Sequence, residues 1–531
     1  MIDLSRTGGP DRRWLALPLL FLVAVPLVLL AVSWLDPQPE IWAHLRAFLL
    51  PRLITHTLVL MVVVGLGVTL LGVGLAWLSA CCEYPGRRWL DPLLVLPLAF
   101  PTYVLAFIYL GLLDYAGPLQ TLMREILGAA PAWLGALSRP SGVILILILA
   151  FYPYVYLLAR AAFIGGGLSA FEAGRSLGER PFRVFVRISL PAARPAIVAG
   201  LALALMETLA DFGAVAIYGF ETFTTAVYRT WLGMFNLAAA TQLASLLMLF
   251  MLVLLIAERL TRSRRGRQAD RRPGPHRLQL KGARAWAATG IQTAVLLLAV
   301  VVPVIQLVVW SWPALADLLS RDYLGLVRNT MLLGGMGALA VLVGGLMLLV
   351  ATFRTRGRAE LLGELAALGY AIPGTVLAVA IMLGFTGLDR LAGTALAGGL
   401  GALILAYLIR FLRVGWGPLE GVAGRLRPEY IEVARSLGVG RLERWWRVTL
   451  PLLRPGLVTA FLLALVEIAK EMPATLMLRP FGWETLAIRI FELTIEGQWE
   501  RAALPALVLV LLGAIPAILL IRRTSNLTGR P

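Results

Sequence analysis

Five ionisable side chains interrupt sequence that is otherwise apolar enough to lie in hydrocarbon: Glu207 and Asp211 in "METLADFG", and Glu467, Lys470 and Glu471 in "VEIAKEMP". Carboxylate oxygens suit hard cations. Four carboxylates against one lysine leave a net charge of −3 when all are ionised, which favours a cationic solute over sulfate, molybdate or phosphate. A spacing of four places Glu207 with Asp211, and Glu467 with Glu471, on one face of a helix. Ionisable groups inside a bilayer are costly unless paired or hydrated, so two readings stand. The five line a candidate translocation pathway, or they form an interhelical lock in which Lys470 neutralises Glu467 or Glu471.

Other reactive residue types offer little chemistry. Cys81 and Cys82 are adjacent and are the only cysteines, so they make neither an unstrained disulfide with each other nor a zinc ligand set, and they read as inert thiols. His44 and His56 flank the first outer loop without companion ligands, and no metal site is assigned. No nucleophile paired with a base is visible, so the chain reads as performing no covalent chemistry.

The elements around the five charges are membrane spans. The 531 residues are 59% hydrophobic and 15% charged, a composition that excludes a soluble globular domain. Apolar runs of about 20 residues, the length that crosses a bilayer, lie near 14–35, 54–80, 89–113, 141–164, 193–216, 241–257, 285–311, 328–353, 361–387, 394–412, 453–474 and 502–522. The first is followed by no small-residue cleavage site, so it stays as a helix. Of the 48 Lys and Arg, 36 fall in alternate loops, which puts both termini in the cytoplasm of a cell inner-membrane protein. The +18 net charge is therefore topology, and nucleic-acid binding drops out as an explanation for it.

The fold class expected is an all-α polytopic membrane protein of about 12 transmembrane helices in two tandem six-helix repeats: 1–257, a basic cytoplasmic linker 258–284, and 285–531. "EAGRSLGERPFRVFVRISLP" from Glu172 returns as "EVARSLGVGRLERWWRVTLP" from Glu432, with 15 identities in 36 ungapped pairs. "AFPTYVLAF" from Ala99 returns as "AIPGTVLAV" from Ala371. The offset changes from 272 to 260 between these landmarks, which assigns the first repeat a longer outer loop at about 114–139. Six spans return the chain to its starting side, so the repeats are parallel about an axis along the membrane normal. Pro101 and Pro373 correspond and read as helix kinks, candidate hinges.

The recurring segment reads as a short helix, a glycine exit at Gly178 or Gly438, and an amphipathic stretch that Leu-Pro stops at the membrane surface. One copy alone reads as an interfacial helix held near anionic lipid. Two copies on one face suggest docking surfaces for a twofold cytoplasmic partner.

The pattern Glu-Ala-Ala, three residues, Gly, nine residues, Ile, one residue, Leu-Pro resembles the coupling loop of type I binding-protein-dependent ABC importer permeases. Glu172, Ala173, Gly178, Ile188, Leu190 and Pro191 fit it, as do Glu432, Ala434, Gly438, Leu450 and Pro451. Gly174, Val433 and Val448 depart from it with small or aliphatic residues. The resemblance implies two copies of a cytoplasmic ABC ATPase, one per loop, a periplasmic or lipid-anchored solute-binding protein, and no cofactor bound directly. The chain's two lysines, Lys281 and Lys470, are not in a phosphate-binding Gly-Lys-Ser/Thr, so ATP is used by the partner subunit.

"ETLADFGAVAIYGFETFTTAVYRTW", "KEMPATLMLRPFGWETLAIRIFE" and the fused layout are similar to the ferric-iron branch, which implies iron import by alternating access. Thiamine permeases, with an aromatic cage from Tyr228, Trp231, Phe235 and Trp483, are the nearest rival. A proton-coupled secondary transporter is the alternative from a different class. Segments 223–231 and 483–491 are expected at an outer mouth that meets the binding protein.

Overall fold

The computed structural model describes residues 12–129, 131–167, 174, 176–261, 277–352, 363, 365 and 367–527. Eleven helical stretches among them are long and apolar enough to cross a membrane. The twelfth expected span, 502–522, lies in the 29-residue helix Trp499–Leu527.

Several expected spans are not continuous helices, two of them around the recurring prolines. The run near 89–113 is divided into Arg87–Leu93, Leu96–Ala99 and Thr102–Leu113. The run near 361–387 has a short turn at Ala367–Ala371 before Gly374–Ala392. Pro101 and Pro373 are the residues just before those last helices, with ψ of 141° and 144°. They start helices and do not kink them. Proline has no N–H to offer and forces an extended residue where a helix begins, so the recurring "Pro" marks a break in the span.

The chain packs as two compact units. One comprises 1–42, 227–248 and 316–489, and the other 43–226, 249–315 and 490–531. This is a different division from the tandem repeats. The opening helix of the first repeat, Leu17–Val32, packs inside the first unit on Gly374–Ala392 of the second repeat. Val302–Ser311, from the second repeat's opening span, packs inside the second unit on Trp499–Leu527 and Thr102–Leu113. Each repeat therefore lends its first span to the other's packing unit.

Both units are built on the same three-helix core. In one, Leu50–Cys81, Val143–Ala162 and Leu190–Ala210 cross; in the other, Arg321–Thr352, Leu400–Ala423 and Leu450–Lys470 do. Lipid tails are as apolar as leucine, so helices in a bilayer associate by close packing, and small residues let backbones approach. A β-carbon at Gly72 would lie 2.8 Å from Val155 Cβ, and one at Gly345 would lie 2.9 Å from the Gly415 carbonyl carbon.

The exit of the linker is braced to the first repeat. Leu278–Gln279 pairs in parallel with Cys82–Glu83, and Arg277 lies 3.5 Å from Glu83. Beside them Asp91 accepts from Arg160 and from the Tyr156 hydroxyl, while Arg87 holds Glu83 at 3.1 Å. Cys82 and Tyr84 pack against Ala285 and Ala288, and burial pushes the Cys82 thiol up to about 11, which accords with an inert role.

The core packing yields a stability test. Gly345→Leu forces two helices apart and should cost about 1–3 kcal/mol or more by overpacking. Gly335, in the same helix, faces open space, and Gly335→Leu should leave stability unchanged. Thermal unfolding of the detergent-solubilised protein, followed by size exclusion, compares the two.

Candidate functional site

The helix Leu190–Ala210 stops one residue short of Asp211, whose backbone is extended at φ −64°, ψ 129°. A new short helix, Gly213–Ile217, begins two residues later. The break exposes N–H groups that hydrocarbon does not satisfy, so a local acceptor is required. Asp211 Oδ1 supplies it, accepting from the N–H groups of Ala214 at 3.0 Å and Val215 at 3.2 Å. Its other oxygen accepts from the hydroxyl of Thr102, the first residue after Pro101. Thr224 donates to the Asp211 carbonyl at 2.7 Å.

The second repeat builds the same junction with a longer acid. Leu450–Lys470 stops before Glu471, at φ −69°, ψ 109°, and Pro473–Leu478 follows. Glu471 Oε1 accepts from the Ala474 N–H at 3.1 Å, and Thr475 donates to the Glu471 carbonyl at 2.6 Å. The residue matching Thr102 is Gly374, where a side chain would collide with the Glu471 carboxylate. The second oxygen meets a cation instead: Arg410 Nε lies 3.1 Å from Glu471 Oε2. Arg410 also donates to the Ile372 carbonyl at 2.6 Å, so it ties the residue before Pro373 to the same junction.

Two sequence expectations change, and one of two alternatives for Lys470 is met. Asp211 and Glu471 do not share a helix face with Glu207 and Glu467, because the helix ends before each of them. Lys470 pairs with Glu467 at 2.9 Å, and Glu471 takes Arg410. Arg410, counted from sequence among the cytoplasmic loop charges, sits within the helix Leu400–Ala423 with its side chain 12% exposed. The charge arithmetic is then four carboxylates against two cations, and the electrostatic preference for a cationic solute weakens accordingly. Glu207 is half-buried, and the Glu467 side chain is 37% exposed.

The segments expected at an outer mouth are buried over much of their length. Residues 222–227 are buried, with the Thr222 and Thr224 hydroxyls 2.9 Å apart, and so are Leu486, Ala487, Ile488 and Ile490. The exposed aromatics beside these segments are Phe235, 89% exposed and at φ 51°, and Phe481. The His56 ring stacks on Phe220 with centroids 4.5 Å apart and its Nδ1 lies 2.9 Å from the Glu221 carbonyl, while His44 packs on Phe48. Both histidines have packing partners that account for them without a metal.

In the coupling loops, Glu172 and Ala173 lie outside the described residues. Pro428–Ser436 is a helix with Glu432 exposed and Ala434 buried. The glycines have φ of +83° at Gly178 and +75° at Gly438. The Glu179 N–H donates to the Gly174 carbonyl, and the Val439 N–H to the Ala434 carbonyl, both at 3.2 Å. This six-to-one bond with a left-handed residue just inside it is a Schellman ending, so glycine is required by the backbone conformation that exits the helix.

The expected stop at Leu-Pro does not occur. Pro181–Ala210 runs as one helical stretch through Pro191, and 445–470 through Pro451. Immediately before each Leu-Pro lies one five-residue π-helical turn, Phe185–Ser189 or Trp445–Thr449, in which Leu190 bonds back to Phe185 and Leu450 to Trp445. Proline clashes with the carbonyl four residues earlier and lacks a donor; widening the turn by one residue lets the helix continue. Phe185 fixes the first turn to Trp77, at 4.5 Å between centroids, and to Phe163.

A family model described as a binding-protein-dependent transport system inner membrane component matches residues 69–265 and again 340–525. The chain is 28% identical over 525 residues to the Fe(3+)-transport system permease protein of Haemophilus influenzae, covering 96% of this chain and 97% of that one. It is 22% identical over 501 residues to the ferric transport system permease protein of Actinobacillus pleuropneumoniae, with 87% and 70% covered. Similarity to the molybdenum transport system permease protein of Escherichia coli, 31% over 149 residues, extends over 28% of this chain and 62% of that one.

The two ion pairs differ in what their loss should do. Arg410→Ala strands the buried Glu471 carboxylate and should cost about 3–5 kcal/mol. Lys470→Ala removes a partner from a more exposed acid and should cost less than about 1 kcal/mol. Thermal unfolding in detergent separates these outcomes.

Proposed function

Because the chain belongs to the family of binding-protein-dependent transport system inner membrane components, we propose that it is the permease of an ATP-driven importer that carries ferric iron inward. The observation that carries the cargo is the similarity to an Fe(3+)-transport permease along nearly the whole of both chains. The likeness to the molybdenum permease extends over little more than a quarter of this chain.

The partners follow from the two coupling loops. Leu177 and Leu437, 85% and 75% exposed, stand just before the glycine turns, giving each loop an apolar knob beside its helix. We assign one ATPase subunit to each loop and place both termini on that side, in the cytoplasm. A solute-binding protein delivers the ion on the opposite side, where the exposed Phe235 and Phe481 offer contact area.

In this reading Asp211 and Glu471 fix the two helix breaks, and Glu207 in the first repeat and the Glu467–Lys470 pair in the second, each about one turn earlier in its own helix, are the candidate pathway residues. Lys470 acts as a counter-ion that Glu467 exchanges for the passing cation. ATP binding draws the loops together, the helices they head move with them, and access alternates between the two sides.

Uptake of radiolabelled ferric iron by iron-starved cells tests the cargo. Deletion of the gene should abolish uptake, excess thiamine should leave it unaffected, and ATP depletion with the proton gradient maintained should stop it. Unchanged uptake in a deletion strain with no second ferric system would remove iron as the cargo.

Gly178→Pro combined with Gly438→Pro tests the class, since proline fixes φ near −65°. Uptake should fall to background with the protein still in the membrane. Retained uptake would point to a transporter driven by the proton gradient.

A further inference from the structure

Between the helices Thr102–Leu113 and Val143–Ala162 the chain makes a helical hairpin, Pro118–Leu127 and Ala132–Leu137, that has no counterpart of its length in the second repeat. One span separates it from the first coupling loop, so it lies at the opposite membrane surface, whatever the cargo.

The hairpin is tied down at the end of its span. The Gly117 N–H donates to the Asp114 carbonyl at 2.9 Å, and the Gln120 side-chain amide reaches back to the Leu113 carbonyl at 2.5 Å. A side chain at Gly117 would collide with the carbonyls of Gly111, Leu112 and Asp114, so the chain folds directly over the helix terminus. The span to which the hairpin is tied, Thr102–Leu113, packs on the short helix Gly213–Ile217, and beyond the hairpin, in the turn that opens Val143–Ala162, a β-carbon at Gly142 would lie 3.0 Å from the ring of Tyr218. Tyr218 is the residue that ends Gly213–Ile217, the short helix capped by Asp211.

Its polarity is inverted relative to an ordinary solvated loop. The buried residue of Pro118–Leu127 is Gln120, whereas Leu122, Ile126 and Leu127 point outward, and Ile126 is 65% exposed. Trp133 is 63% exposed and Tyr115 lies under the Arg124 guanidinium, 4.3 Å from ring centroid to Cζ. The charges from 114 to 139 are Asp114, Arg124, Glu125 and Arg139, which balance. A neutral face of Leu, Ile and Trp with a Tyr–Arg pair at its edge, held at the level where a span leaves the bilayer, has the chemistry of the headgroup–acyl boundary.

We propose that this hairpin is a lipid-seated strut: its apolar face is buried in the leaflet opposite the coupling loops, and it holds the short helix Gly213–Ile217 at a fixed depth. The first repeat's helix break is thereby referenced to the membrane, whereas the second repeat's, held by the Glu471 cap and the Arg410–Glu471 ion pair, has no such hairpin beside it.

The test places a nitroxide at Ile126→Cys in the full-length protein in lipid nanodiscs, with Glu496→Cys as an exposed loop control. Collisions with dissolved oxygen should exceed those with an aqueous nickel chelate at position 126 and not at 496. Adding the solute-binding protein should leave the ratio unchanged. Equal access of the chelate to both positions would overturn the proposal, and so would shielding at 126 that appears only with the binding protein, which would make the face a protein-docking surface. A second measurement uses Leu122→Glu with Ile126→Glu. This pair should lower transport in nanodiscs while leaving the unfolding temperature in detergent unchanged; unaltered transport counts against the strut.

Discussion

A bilayer offers no water to an interrupted helix, and each repeat of this permease interrupts one just past its recurring arginine-rich loop. The carboxylates of Asp211 and Glu471 resolve that conflict by accepting from the N–H groups of the short helix that follows. The remaining features of each junction are arranged around the acid. One oxygen is spent on the cap, so the other needs its own partner, and that partner comes from the span that begins with the recurring proline or from its neighbour.

The repeats reach this arrangement by different chemistry. Aspartate with a threonine hydroxyl is compact; glutamate is longer by one methylene, requires Gly374 for room, and brings a guanidinium with it. The second junction consequently carries a buried ion pair where the first carries a hydroxyl contact. Buried pairs of this kind contribute little net stability relative to apolar replacements but are strongly destabilising when one member is lost. The duplicated sequence thus encodes two halves that tolerate substitution unequally.

Much of this was legible in the sequence. Hydrophobic runs located the spans, duplicated arginine-rich loops located the repeats, and Gly178 and Gly438 announced left-handed turns. Backbone departures within apolar runs were not legible. Nothing in "METLADFG" states that the helix ends at Ala210, because periodicity continues across a cap. Arg410 was hidden for a related reason: lying at the edge of an apolar run, it looked like a loop residue, although "AYLIRFL" leaves it within reach of the membrane. The Leu-Pro misled because proline usually terminates a helix, and here a widened turn, a geometry without a residue signature, precedes it and the helix continues. The exchange of opening spans between packing units lay equally beyond sequence, since all apolar faces are alike to a hydropathy pattern.

The uninterrupted course through Pro191 has a mechanical consequence. Had the helix ended there, the segment that follows the Gly178 turn and the segment that reaches Asp211 would be joined by a swivel, and displacement of one would be lost in rotation of the other. Instead the 30 residues Pro181–Ala210 form a single rod, about 45 Å long at 1.5 Å per residue. Its π-helical turn lies beside the loop. A force applied at its Pro181 end would therefore reach the other end as torque on a lever, with the carboxylate junction as its load.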